Sequence, residues 1–351
     1  MRYYVLTVVL VVFCSCKDNK LKEQHSISKV EIETIVQDSL LNVRALEAYG
    51  DHFGCFATSN GEVGILSERN GVSEYEMLTQ FKYDSIVPNF RCIAATSEGG
   101  FVLSIESPAL LFGVDVFDNE VVYTETHPKA FYDAMEFWND QEGIAIGDPT
   151  DDCMSIIITR DGGATWNKLS CDILPKTKEG EAAFAASDTN IAIVGNHTWV
   201  ATGGQVSRIL YSPDKGNTWE VFDTPIIQGA ATTGIYSIAF YDALNGFAIG
   251  GDYTKPDANT ANKIRTQDGG KTWKMVAQHQ NPGYRSCVQY VPNGNGKKLV
   301  AVGFKGIDYS DDAGNTWTHL SDEGFYTIRF LNDSIAYAGG KGRISKLRFK
   351  G

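Results

Sequence analysis

Thr266-Gln267-Asp268-Gly269-Gly270-Lys271-Thr272-Trp273 decides the fold, because the 351-residue chain carries it in four versions. The others are Thr159-Arg160-Asp161-Gly162-Gly163-Ala164-Thr165-Trp166, Ser212-Pro213-Asp214-Lys215-Gly216-Asn217-Thr218-Trp219 and Ser310-Asp311-Asp312-Ala313-Gly314-Asn315-Thr316-Trp317. All four fit Ser/Thr-x-Asp-x-Gly-x-Thr-Trp. Each stands between apolar alternating runs, where Asp closely followed by Gly signals a hairpin turn. The carboxylate accepts backbone N–H groups just downstream, glycine supplies the positive φ, and tryptophan brings a large apolar surface to bury. The tryptophans are 53, 54 and 44 residues apart. A period of that length predicts one four-stranded propeller blade per repeat. Asp161, Gly163, Trp166, Asp214, Gly216, Trp219, Asp268, Gly270, Trp273, Asp312, Gly314 and Trp317 are then structural residues, their polar groups consumed by their own turns.

The octapeptide is the Asp-box pattern, and the chain resembles Asp-box (BNR-repeat) β-propellers, above all the photosystem II assembly factor-like proteins. That resemblance implies a non-catalytic binding or assembly module for a protein or glycan partner. Sialidases and some glucanases share the box, so a sialidase-like glycoside hydrolase is the competing implication. Sialidases use three arginines on the substrate carboxylate and announce the first blade with Arg-Ile-Pro. This sequence has no Arg-Ile-Pro, and only Arg91 and Arg285 offer themselves as such arginines. Relatives also carry a loose oxidoreductase label, but no Gly-x-Gly-x-x-Gly follows a strand and no haem or metal-thiolate pattern occurs, so neither a cofactor nor a metal is expected.

Residues 1–16 read as an export signal. Arg2 gives a positive start, residues 4–13 are apolar but too few to span a bilayer, and Ser15-Cys16 ends the run. This resembles a lipoprotein signal with Cys16 as the lipidated first residue of the mature chain. Cys14, preceded by bulky Phe13, fits less well, and an ordinary cleaved signal is the alternative. Residues 17–28 are polar and unpatterned, a tether between lipid and domain. The expected location is the cell envelope, on the periplasmic side or the outer surface of an outer membrane. Removing the first 15 residues takes away Arg2 alone, so the net charge moves from −12 to −13. An acidic domain of this kind does not seek nucleic acid by bulk electrostatics, and it is expected to be monomeric. Beyond Cys16, five cysteines occur without a Cys-x-x-Cys pattern, an odd set that reads as neither a disulfide framework nor a zinc site.

Matching each box to the alternation before it gives blades at residues 43–81, 90–125, 131–169, 181–222, 234–276 and 284–320. The second has lost the box, and the first keeps only a degenerate turn, Ser67-Glu68-Arg69-Asn70-Gly71. Residues 326–331, 334–339 and 343–349 supply three further strands, and the alternating segment 30–36 is left over. The expected fold is therefore all-β, a β-propeller of seven four-stranded blades whose N-terminal strand closes the last blade. Strand direction puts the boxes at the bottom. The longer loops 147–154, 196–207 and 251–262 then lie at the top, where a rigid scaffold carries function. Arg91, Asp148, Glu181, His197, Asp252 and Arg285 are the expected binding residues at that mouth. Asp148, Glu181 and Asp252 are the carboxylates a hydrolase would draw on. His197 lacks a second histidine at ligand spacing.

Overall fold

The computed structural model describes Met1 and residues 26–50, 52–69, 71–114 and 118–351. The export signal, Cys14, Cys16 and most of the tether lie outside the described residues, as does Asn70 of the first degenerate turn. All regular structure among the described residues is β, and no helix there is long and apolar enough to cross a membrane.

The four octapeptides form one turn, four times. In the first, Asp161 Oδ1 accepts the Thr165 N–H at 2.9 Å while Oδ2 accepts the Thr165 hydroxyl at 2.7 Å. Thr159 Oγ1 takes the Gly163 N–H at 2.9 Å. Asp268 repeats the arrangement with Thr272 at 2.9 and 2.6 Å. The box glycine is required twice over. Gly163 and Gly314 have φ of +87° and +82°, and a Cβ on either would come within 2.1 Å of a phenylalanine ring, Phe101 or Phe247, on the preceding sheet. Each turn is thereby pressed onto its neighbour. Its tryptophan fills the seam between them: Trp166 beside Phe101 and Phe137, Trp273 beside Phe240, and Trp317 beside Phe247. The indole N–H groups of Trp219, Trp273 and Trp317 donate to their own box glycine carbonyls, whereas that of Trp166 is buried without a partner.

Taking a blade as one hydrogen-bonded sheet, the described strands form six blades, not seven. Four are four-stranded. They are built on Phe90–Ala95, Tyr132–Asn139, Ile191–Val194 and Cys287–Tyr290 as first strands. Thr233–Phe240 and its three partners gain Gly203–Gly204 and Glu181–Ala182 at one edge. The remaining sheet, here called the closing sheet, corrects the count. Residues 334–339 and 343–349 are one strand, Ile335–Lys350. Residues 30–36 run without a break into the first strand of the next quartet, making the single strand Lys29–Tyr49. Sequence alternation cannot show that a strand continues through a register shift, and such a shift falls between Gln37 and Asn42. The closing sheet thus runs Thr327–Phe330, Ile335–Lys350, Lys29–Tyr49, Phe53–Thr58, Glu62–Arg69 and Val72–Gln80. Lys29 pairs with Lys350 and Val36 with Ile344, so both ends of the described domain are tied together.

The core is distributed along the seams. One cluster joins Cys92, Phe101 and Leu103 to Tyr132, Met135 and Trp166, and another joins Trp199 and Ile209 to Ile235, Ile264 and Trp273. Cys153 and Cys171 form a disulfide, where the cysteine spacing had suggested none, and Cys55, Cys92 and Cys287 are free thiols.

Candidate functional site

The axis of the ring is filled by the chain itself. Residues 181–190 leave the edge of one sheet, enter the channel and bond to every other sheet. Asp188 accepts the Ile93 and Met135 N–H groups at 2.8 and 2.9 Å. Ser187 Oγ donates to Ser286 O at 2.6 Å, Thr189 Oγ1 to Ser237 Oγ at 2.7 Å, and Thr327 Oγ1 to Ser187 O at 2.9 Å. Arg329 Nη2 donates to Asp188 O at 3.1 Å. Burial pushes the Asp188 carboxyl well above the usual range, opposed by Arg329 and by its two N–H donors. Ser187, Asp188, Thr189 and Asn190 are all buried.

Above this plug, at the end of the ring away from the octapeptide turns, lies a cleft of about 590 Å³. Its floor is residues 182–186, and its wall is aromatic: Phe131, Phe184, Tyr236, Tyr253, Tyr284, Phe304 and Tyr326. Phe184 stacks on Tyr236 with centroids 3.9 Å apart, and Tyr284 meets Tyr236 edge-on at 4.8 Å and Phe304 at 5.4 Å. Two arginines and a carboxylate complete it. Arg44 lies 3.7 Å over the Tyr326 ring and donates to Ala186 O at 2.9 Å, and its Nε is buried without a partner. Arg91 donates to Asn89 Oδ1 at 3.1 Å and to Ala185 O at 3.3 Å. Burial, reinforced by Arg44, pulls Arg91 down to about 10. Neither guanidinium has a carboxylate within ion-pair distance among the described residues, whose ion pairs all involve other groups. Asp148 Oδ1 accepts the Ala183 N–H at 2.8 Å, and burial raises its carboxyl to about 6. Asp133 is wholly buried, with neither oxygen hydrogen-bonded. Burial and the nearby Asp148 push it well above the carboxylate range, against the weaker pull of Arg91 and of the Ala185 N–H, which falls short of hydrogen-bond geometry.

Of the six residues expected at the mouth, Arg91 and Asp148 line this cleft and the others do not. Glu181 is buried in a two-pronged ion pair, its oxygens accepting Arg208 Nε at 3.0 Å and Nη2 at 2.5 Å. Arg285 is likewise buried and paired, with Nε and Nη2 at 2.7 and 2.6 Å from Asp308 Oδ2. Asp252 ends strand Gly246–Asp252 next to Tyr253, but its Oδ1 accepts the Thr254 N–H and hydroxyl at 3.0 and 2.6 Å. Burial works to raise that carboxyl, and the Thr254 contacts outweigh it and hold it below the usual range. His197 lies at the opposite end of the ring. The expected top loop 196–207 contains strand His197–Ala201, whose Thr198 pairs with Ser212 at the start of an octapeptide turn. His197 Nδ1 sits 2.7 Å from the Tyr211 hydroxyl, and Asn196 O accepts the Lys215 N–H of that turn. Asp152, Cys153 and Cys171 lie close together, but the disulfide occupies both thiols.

Arg44 and the aromatic wall were not anticipated. A signal was present: Phe131-Tyr132, Tyr284 and Phe325-Tyr326 place aromatic residues at or just before the start of three inner strands.

No protein-family model matches the sequence, and no curated protein is significantly similar to it. Solved structures are similar in fold. YCF48 bound to D1 peptide superposes with a TM-score of 0.62 at 14% identity, over 93% of this chain and 100% of that one. YCF48 from Cyanidioschyzon merolae gives 0.62 at 13%, over 92% and 98%. The WD40 propeller domain of Doa1 gives 0.57 at 12%, over 92% and 97%. The chain shares the β-propeller fold of these proteins.

Proposed function

We propose that this propeller is a non-catalytic binding module that holds a segment of a protein partner in the aromatic cleft above the plug. One observation carries the reading. Arg44 and Arg91 share a half-enclosed cleft with an aromatic wall, and among the described residues neither has a carboxylate partner. A guanidinium removed from water calls for an anion, and planar carboxylates match its fork. The occupant is therefore a peptide segment with an acidic group beside an apolar side chain. YCF48 in its peptide-bound form supports this use of the fold. The hydrolase reading draws on three carboxylates. Glu181 is locked by Arg208 and Asp252 by Thr254, which leaves Asp148 alone in the cleft. The Asp-box resemblance, the lipoprotein-like leader and the disulfide fit a domain tethered in an oxidising envelope compartment, with the cleft open to partners.

The test is capture of the native partner from detergent-solubilised envelope by immobilised protein, followed by identification and peptide mapping. Arg44→Gln and Arg91→Gln should each lower affinity for the mapped peptide about tenfold or more. Arg265→Gln, at the other end of the ring, should leave it unchanged. If only Arg265→Gln weakens capture, the cleft is not the site. Turnover of any member of a fluorogenic glycoside panel that Asp148→Asn abolishes would favour the hydrolase.

A further inference from the structure

The charges of the aromatic cleft come from one arc of the ring. Arg44 lies in the closing strand Lys29–Tyr49, Arg91 in Phe90–Ala95, and Asp148 directly after Glu142–Gly147, on three sheets in succession. Tyr236, Tyr253, Tyr284 and Phe304 come from two other sheets, those built on Thr233–Phe240 and Cys287–Tyr290. The floor of the cleft sets the order of the three charges. Asp148 Oδ1 accepts the Ala183 N–H at 2.8 Å, Arg91 Nη1 donates to Ala185 O at 3.3 Å, and Arg44 Nη1 donates to Ala186 O at 2.9 Å. The carboxylate thus holds one end of a four-residue stretch and the guanidiniums hold the other.

That stretch is also a ruler. Three residue steps of extended chain separate Ala183 from Ala186 by at most about 11 Å. A turn closed by Ala186 N to Phe184 O at 2.6 Å brings them nearer. Even so, among the described residues no ion pair joins Asp148 to Arg44 or Arg91, and the second oxygen of Asp148 accepts no hydrogen bond. The groups around Asp148 do not neutralise it either. Asp133, buried beside it, is a second acid, and Glu181 is spent on Arg208. A shallower hollow of about 490 Å³ shares Asp148 and Ala182 with the cleft and adds Asp151, Glu179, Lys129 and Lys178. Lys178 is paired with Asp223, and among the described residues no ion pair reaches Asp148 from Lys129. One cleft therefore presents an unspent carboxylate and two unspent guanidiniums within the reach of a few residues of bound chain.

We propose that the cleft reads a dipolar segment of its protein partner: an acidic residue held by Arg44 and Arg91, and a basic residue within three positions of it held by Asp148, with an apolar side chain on the aromatic wall. The inference rests on the binding reading above and adds to it the second charge and its spacing. A segment with an acid alone would bring its carboxylate towards Asp148 with nothing to offset the repulsion. A base on the same segment meets the open Asp148 oxygen, so the charges of ligand and cleft match in order along the floor.

The probes are blocked peptides carrying 4-fluorophenylalanine in place of phenylalanine, titrated with the whole protein and followed by fluorine NMR at low salt. Ac-Gly-Glu-Phe-Lys-Gly-amide and Ac-Gly-Lys-Phe-Glu-Gly-amide are dipolar and cover both chain directions. In their acid-only controls glutamine replaces the lysine. At pH 7.5 one dipolar peptide should bind about tenfold more tightly than its control. Asp148→Asn, whose amide oxygen can still accept the Ala183 N–H, should erase that advantage without weakening the control. The advantage should also depend on pH. The Asp148 carboxyl, raised to about 6, is mostly protonated at pH 5, so the wild-type ratio should fall to about twofold or less there, while the ratio in Asp148→Asn stays flat. Because the glutamate is common to both peptides, its own titration cancels in the ratio. Equal binding of dipolar and control peptides at pH 7.5, with both weakened by Arg91→Gln, would overturn the second charge and leave the acidic reading standing. An advantage that survives Asp148→Asn would overturn the assignment of the base to Asp148. Absence of any binding that Arg44→Gln or Arg91→Gln weakens would overturn both readings.

Discussion

Asp188→Ala tests whether the plug holds the ring together. The carboxylate receives two buried N–H groups, Ile93 at 2.8 Å and Met135 at 2.9 Å, from the inner strands of two different sheets. Alanine leaves both donors unsatisfied, at about 1–3 kcal/mol each, so the expected loss is about 2–6 kcal/mol. The loss should depend on pH. Burial raises the folded-state pKa of Asp188 above its unfolded value. A carboxyl shifted in that direction contributes most at low pH, and its contribution declines as pH rises from about 4 through the folded pKa. The deficit of Asp188→Ala relative to wild type should therefore be larger at pH 5 than at pH 8. Urea unfolding followed by tryptophan fluorescence gives both numbers. Amide exchange should accelerate selectively at Ile93 and Met135. Unchanged stability together with unchanged exchange at those two amides would refute the idea that the plug ties the sheets.

Trp273→Ala, at a seam where the indole is 7% exposed, should cost about 3–5 kcal/mol in the same urea assay. Asp268→Ala, which releases the Thr272 contacts, should cost about 1–3 kcal/mol. Neither should lower affinity for a cleft ligand in protein that remains folded. Arg208→Ala leaves Glu181 buried and unpaired and should cost about 3–5 kcal/mol, whereas the isosteric Glu181→Gln with Arg208 intact strands the opposite charge to similar effect. Asp148→Asn should flatten stability between pH 4 and 6. With its pKa raised from 3.8 to about 6, the wild-type carboxyl loses stability as pH climbs through that window, so the variant should gain relative to wild type above it. Deleting residues 17–37 removes most of the closing strand's pairing with Ile335–Lys350 and should lower the melting temperature of the whole domain, as calorimetry would show.

What was legible in the sequence is what is local. The octapeptide fixes a turn within eight residues, and the alternation around it fixes the neighbouring strands, so the third, fifth and sixth quartets of strands were placed within a few residues. The phase of residues 181–212 was not legible. Glu181-Ala182 pairs with Gly203–Gly204 as a two-residue edge, and the inner strand is Ile191–Val194 further on. Between them, Ser187-Asp188-Thr189-Asn190 has the composition of a solvated turn, yet it is buried because distant strands supply its partners. That shift by one strand sent His197 to the wrong end of the ring. The six expected mouth residues illustrate the same limit. Arg91 and Arg285 stand at the start of equivalent strands, but only Arg285 finds an aspartate, Asp308, on the third strand of its own sheet. Whether an arginine is free or spent depends on a partner some twenty residues away, which spacing alone does not reveal. Arg44 was hidden inside what read as the opening of a strand.

Closure by Lys29–Tyr49 also has a mechanical side. Ser28 N donates to Lys350 O, and Lys29 faces Lys350, so the segment leading back to residue 1 and the C-terminal residue leave the ring at one point on its rim. A pull applied through the N-terminal segment falls first on the hydrogen bonds between residues 29–42 and 341–350, before it reaches any seam or the plug. The strand that closes the ring is therefore also its strain-bearing joint. Under load this closing pairing should part before the strands around the aromatic cleft do.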